Sequence, residues 1–260
     1  MVFFVAVASA QTPAIRSELG VINAAGFGKT DKVAAGSLFS IYGTNLSGTL
    51  AQTDSTTLST SMADVDSVTF TSGTTVVKAP LRFVFGTQIN AQVPWGLPPG
   101  TVNVVVTRSG ISSAPYTATI AAFSPTVYDF NPLTQAIAVN SDGTITASAA
   151  TGADLRIAAH PAKAGDTIFF YASGLGNLDK APPADGFNSI DTLRKTANEL
   201  TVKLGGVPVK VDFAGLSPQF TGVYQVNIQI PGGFGVNNAI PMELTIGGVN
   251  SVDPATIAVM

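Results

Sequence analysis

QINAQVPWGLPPGTVNVVV, residues 88–106, returns later in the chain as YQVNIQIPGGFGVNNAIPMELTI, residues 224–246. In the first copy Ile89, Ala91 and Val93 share one face of an extended chain, and Asn90 and Gln92 share the other. In the second copy Val226, Ile228 and Ile230 face one way, and Asn227 and Gln229 the other. A period of two predicts a β-strand with one face in a core. Pro94 and Pro231 follow, and a proline cannot donate to a ladder, so strand pairing ends or bulges there. The amide pairs have two readings. They bond to neighbouring strands or loops at a domain junction, or they form a polar stripe that recognises a ligand.

Two further anchors repeat in the same order. VAAGSLFSIYGTNLSG (33–48) aligns with AKAGDTIFFYASGLGN (162–177), placing Ala35-Gly36 on Ala164-Gly165, Tyr42 on Tyr171 and Leu46 on Leu175. VTFTSGTTVVKAPL (68–81) aligns with VKLGGVPVKVDF (202–213), the former reading as a hairpin about a Ser-Gly turn. The offset is 164 − 35 = 129 at the first anchor and 227 − 90 = 137 at the last, so a loop insertion separates them. Three ordered anchors predict an internal duplication.

Short apolar strands punctuated by Gly and Pro, with almost no helical periodicity, predict an all-β chain of two tandem immunoglobulin-like β-sandwiches. The expected boundary lies within AAFSPTVYD, giving modules at 11–123 and 124–260. The segment DTLRKTANEL (191–200) reads as a lead into the strand at 201 rather than as a helix. The second half also carries an extra segment, APPADGFNSIDTLRKTANE (181–199), where the modules are expected to differ.

Composition narrows the function classes. Of 260 residues only 11% are charged, against about a quarter in typical domains, while 45% are hydrophobic and the chain holds 26 Gly and 16 Pro. A net charge of −3 without basic runs gives no footprint for nucleic acid. The absence of cysteine excludes disulfides, thiolate metal sites and a Cys nucleophile. Residues 1–10, MVFFVAVASA, combine an apolar run with an A-x-A pattern and read as the remnant of a secretory signal peptide. No other apolar run reaches the roughly 20 residues that span a bilayer.

AGSLFSIYGTNLSG and VPWGLPPGTVNVVVTRSGISSAPYTATI together resemble the IPT/TIG immunoglobulin-like domain. INAAGF, INAQVPW, YASGLGN, FAGLSPQFTGVYQVNIQIP and GGVNSVDPATIAV are similar to a secreted-protein C-terminal domain family of Solibacter-type Acidobacteria that has no assigned activity. This resemblance implies a bacterial secreted or cell-surface module, non-catalytic, serving adhesion, ligand binding or spacing. Polysaccharide or another surface protein is the expected partner, with no cofactor and no metal; the oligomeric state stays open. A carbohydrate-binding module and a hydrolase of unrecognised type are the alternatives, since fold alone does not assign function.

Candidate ligand-binding residues are Trp95, Tyr42 and Tyr128, whose rings could stack on a sugar, and the amides Asn90, Gln92, Asn227 and Gln229. Trp95 alternatively caps the core or packs on the neighbouring module; the second repeat has Gly232 near its place. No catalytic residue is assigned. His160 is the one histidine, reads as a surface loop residue, and lacks a G-x-S-x-G partner. Asp64 and Asp66 alternate on an expected strand, and Asp142 in NSDGT reads as turn chemistry rather than a calcium loop.

Overall fold

The computed structural model describes residues 11–26, 30–252 and 255–260; the signal-peptide reading of residues 1–10 lies outside them. The chain is nearly all β, as expected, and holds two separate hydrophobic cores.

In the first half, Leu38–Thr44 and Gln88–Gln92 pair antiparallel at the centre of one sheet, flanked by Val21–Asn23, Ala14–Ile15, Leu81–Phe85 and Ala51–Gln52. The facing sheet runs Lys32–Ala34, Tyr116–Ala121, Gly100–Arg108, Val65–Ser72, Thr75–Lys78, with Ile111–Ser112 closing on Gly100–Arg108. Ile89 and Ala91 are fully buried between the sheets, as the period-two reading requires, and Phe39 meets Phe70 edge-on at 5.2 Å. The Ser-Gly hairpin forms as expected, with Ser72 paired to Thr75 and Gly73 at φ 58°.

The second half shows matching strand pairs. Thr167–Ser173 pairs with Tyr224–Gln229, Leu200–Leu204 pairs with Asn237–Ile246, and Thr256–Val259 closes the layer. The registers agree residue by residue: Tyr42 faces Gln88, Ser40 faces Asn90 and Leu38 faces Gln92, while Tyr171 faces Gln225, Phe169 faces Asn227 and Thr167 faces Gln229. These pairs carry the two offsets read from the sequence. The last hairpins match in their side chains too. Ser113 Oγ accepts from Val106 N–H, and Ser251 Oγ accepts from Leu244 N–H, each at 3.1 Å. Their turns, Ser109-Gly110 and Gly247-Gly248, both hold two residues at positive φ, the geometry that matches strand twist.

One strand differs. Val207–Leu216 passes through both layers of the second sandwich, pairing first with Leu200–Leu204 and then with Tyr224–Gln229. Its counterpart in the first half is cut at Ala79-Pro80 into Thr75–Lys78 and Leu81–Phe85, because Pro80 has no N–H for either ladder. A short helix, Ala149–Leu155, departs from the all-strand expectation. Ser148 caps it by accepting from Thr151 N–H at 3.1 Å, and Arg156 ends it at φ 57°. Residues 191–199 form no helix and lead into Leu200–Leu204, in line with the reading of that segment.

Candidate functional site

The candidate residues separate into two places. Gln92 and Trp95 lie at the contact between the halves. Gln92 is fully buried, donating from Nε2 to the Gly36 carbonyl at 3.0 Å and accepting at Oε1 from Gly186 N–H at 2.7 Å. Both ends of the amide are consumed, so it is not part of a solvent-facing polar stripe with Asn90. Its counterpart Gln229 reaches the Gly165 carbonyl at 3.5 Å but is exposed.

Trp95 is half-buried and packs against the core of the second half. Its ring lies on Gly36, where an added Cβ would come within 2.2 Å of the indole. Its backbone N–H donates to Asp185 at 2.8 Å, and its indole N–H is buried without a partner. This ring is a junction element and is not presented as a stacking surface. The extra segment 181–199 supplies the other side of that junction: Leu58 N–H bonds Gly186 O, Asn188 N–H bonds Thr56 O, and Thr57 bridges Phe187. Ser37 Oγ accepts from Gly174 N–H at 2.9 Å, and Leu38 N–H donates to Gly222 O at 3.2 Å.

The remaining candidates lie on outward sheet faces. In the first half Tyr42, Gln88, Asn90 and Phe83 share one face. Gln88 Nε2 donates to Asn90 Oδ1 at 2.8 Å and Ser40 Oγ donates to the same oxygen at 2.9 Å. Arg16 stacks on the Tyr42 ring at 4.8 Å, beside a cavity of about 260 Å³ lined also by Ala14, Ile15 and Thr87. In the second half Tyr171, Gln225, Asn227 and Phe213 hold the same places, and Gln225 Nε2 donates to Asn227 Oδ1 at 2.9 Å. Phe169 replaces Ser40 opposite the Asn, and Tyr171 lies edge-on between Phe169 at 5.7 Å and Phe220 at 5.4 Å.

Tyr128, Ile137, Tyr171, Phe220 and Val223 line an apolar cavity of about 220 Å³ beside this face. Burial pushes the Tyr128 phenol up to about 12, with the neighbouring Ser173 hydroxyl and the Arg82 charge opposing that rise. Burial also raises Tyr171. Sequence reading found Tyr128 and Asn227 but missed Tyr171, Phe220, Phe213 and Gln225. The signal for two of these was present: Gln-x-Asn occurs in both quoted copies, and Tyr171 aligns with Tyr42.

The ionisable groups raised by the sequence are engaged elsewhere. Asp64 sits in the turn before Val65–Ser72 rather than on the strand with Asp66, and bonds Arg108 at 2.6 Å. Burial raises its carboxyl, but the Ser47 hydroxyl, Gly48 N–H and Arg108 outweigh it and hold the group below the usual range. Asp66 accepts from Gly110 N–H at 2.7 Å. His160 lies on a short strand, Ala159–His160, not in a loop, and its Nε2 is 2.9 Å from Asp142. Asp142 accepts from Thr144 N–H and hydroxyl, which with His160 hold its carboxyl at about 2. Among the described residues no three His, Cys, Asp or Glu side chains gather as a metal site. Among the described residues no helix is long and apolar enough to cross a membrane.

No family model and no curated protein matches the sequence. Solved structures with which the chain aligns include the plexin A4 extracellular region (11% identity, TM-score 0.32, 100% of this chain and 19% of that one). Another is SGBP-B of the Bacteroides ovatus mixed-linkage glucan utilization locus, in complex with a mixed-linkage heptasaccharide (11%, TM-score 0.35, 88% and 44%). A third is the Escherichia coli adhesin FdeC (13%, TM-score 0.27, 95% and 66%). The chain spans less than half the length of the first two. It is similar to each of these only at the level of β-sandwich architecture.

Proposed function

We propose that this chain is a non-catalytic module of the bacterial cell surface or exterior, built from two immunoglobulin-like units at 11–123 and 124–260 that arose by duplication. It serves to bind a ligand while holding that ligand at a fixed orientation. The observation that carries this reading is the junction. Gln92 joins Gly36 of one unit to Gly186 of the other, and Trp95 is sunk between them. A loose linker would leave neither group buried, and an interdomain contact of this polarity otherwise permits relative motion. The low charge and β-sandwich build agree with an exported binding or spacing unit, and Asp64, Asp66 and Asp142 are spent on turns and ion pairs. Surface labelling of intact native cells with a membrane-impermeant amine reagent tests the reading. The protein should be labelled before lysis or recovered in the medium; labelling only after lysis contradicts it.

A further inference from the structure

The outward face of the second sandwich has a feature that packing does not account for. Residues directly opposite on antiparallel strands hold their Cβ atoms about 5 Å apart. Phe169, Asn227 and Phe213 therefore form one row across three strands, and Tyr171 and Gln225 form the next. The Phe213 ring leans over Gly215, where an added Cβ would meet it at 2.7 Å, so this aromatic lies along the second row as well. An amide pair thus sits between aromatic rings. The Gln225–Asn227 bond uses Gln225 Nε2 and Asn227 Oδ1, which leaves the Gln225 Oε1 acceptor and the Asn227 Nδ2 donor to an outside partner. Phe220, 37% exposed, extends the aromatic surface over the apolar cavity with Tyr128 and Ile137.

We propose that this face, with Tyr171, Phe220, Gln225 and Asn227 at its centre, binds a neutral polysaccharide. A pyranose presents an apolar C–H face and a rim of hydroxyls that both donate and accept. Rings at strand spacing match the first, and an adjacent acceptor and donor match the second. Phe169, Tyr171, Phe213, Phe220, Gln225 and Asn227 carry no charge, and Arg82, whose charge reaches Tyr128, stands beside the cavity rather than among them, so recognition here rests on stacking and hydrogen bonds rather than an ion pair. A lipid would leave the two free amide groups unpaired on burial, which disfavours it. The cavity, at about 220 Å³, falls below the range of drug-sized sites and suits one sugar ring of a longer chain. In the first half Ser40 stands where Phe169 does here and Arg16 covers Tyr42, so that face lacks the continuous aromatic surface.

This inference rests on the reading of the chain as an exported binding module, and its test is independent of cell labelling. The full chain is run in native gels containing hydroxyethyl cellulose, galactomannan or arabinoxylan, with alginate as an acidic comparison. At least one neutral polysaccharide should retard the protein and alginate should not. Tyr171→Ala and Asn227→Ala should each weaken retardation tenfold or more, while Val76→Ser on the far edge of the first half leaves it unchanged. Thermal unfolding of each variant separates lost binding from lost fold, and the solvent-facing Asn227→Ala keeps the test valid should Tyr171→Ala unfold. Free migration through every neutral gel, retardation by alginate alone, or retention of binding in both variants would overturn the proposal. Surface labelling with no glycan binding would sink this site while leaving the exported-module reading intact.

Discussion

Gln92 and Gln229 occupy one position in two copies of a strand, and their surroundings make them unequal. Each reaches a glycine carbonyl, but only Gln92 is buried and only Gln92 accepts a second bond from across the junction. Removing a buried amide forfeits two bonds worth about 1 kcal/mol each and strands the Gly36 carbonyl and Gly186 N–H. Gln92→Ala should cost about 3 kcal/mol in denaturant unfolding, and Gln229→Ala about 0.5 kcal/mol or less. Equal losses would contradict the assignment. His160 gives a second expectation at this scale. The Pro161 carbonyl at Nδ1 and Asp142 at Nε2 accept from both ring nitrogens, so the charged ring is best satisfied and its pKa is raised. Its contribution to stability is full below the unfolded value of about 6.5 and is lost as pH rises through the higher folded value. Asp142 has the opposite sign: its contribution is present above about 3.9 and lost as pH falls through about 2. The imidazole NMR titration should therefore have its midpoint above that of a free histidine, and Asp142→Asn should lower it; an unchanged midpoint would remove the pair.

At the scale of elements, Gly36 and Gly165 open equivalent strands at φ 78° and 90°. Both strain a side chain, but only Gly36 lies under an indole; nothing lies within 4 Å of a Cβ built on Gly165. Gly36→Ala should destabilise more than Gly165→Ala and shift tryptophan fluorescence, whereas Gly165→Ala should leave the emission unchanged. Strands of this kind were legible because a buried face imposes a period of two: Ile89, Ala91, Val226 and Ile228 are all fully buried. The matching order of the strand pairs was legible because similar cores place similar residues at the same offsets. The helix Ala149–Leu155 was not, since seven residues of Ala, Thr, Gly, Asp and Leu carry no apolar stripe and depend on the Ser148 cap. The roles of Gln92 and Trp95 were legible only as alternatives. Whether an amide or indole meets solvent depends on what packs against it, and here that includes Asp185 and Gly186, 90 and 94 positions away along the chain. The aromatic–amide face was half visible. Asn227 and Tyr128 stood out singly, but the strand registers were needed to set Tyr171, Phe169 and Phe213 around the amides.

For the whole molecule, the account turns on two sandwiches that share one plan and act as one body. Residues 181–199 are the asymmetric part, a segment of the second half that reaches back to Thr56, Leu58 and Trp95 of the first. Such a contact couples the unfolding of the halves, because either core can melt first only by exposing Gln92 and the Trp95 ring. Differential scanning calorimetry of the full chain, beside Gln92→Ala, tests this most directly. The account predicts a single transition for the native protein, with calorimetric and van't Hoff enthalpies equal, and a split or broadened transition for the variant. Two independent transitions in the native protein, unmoved by Gln92→Ala, would show that the halves are merely strung together and would contradict it.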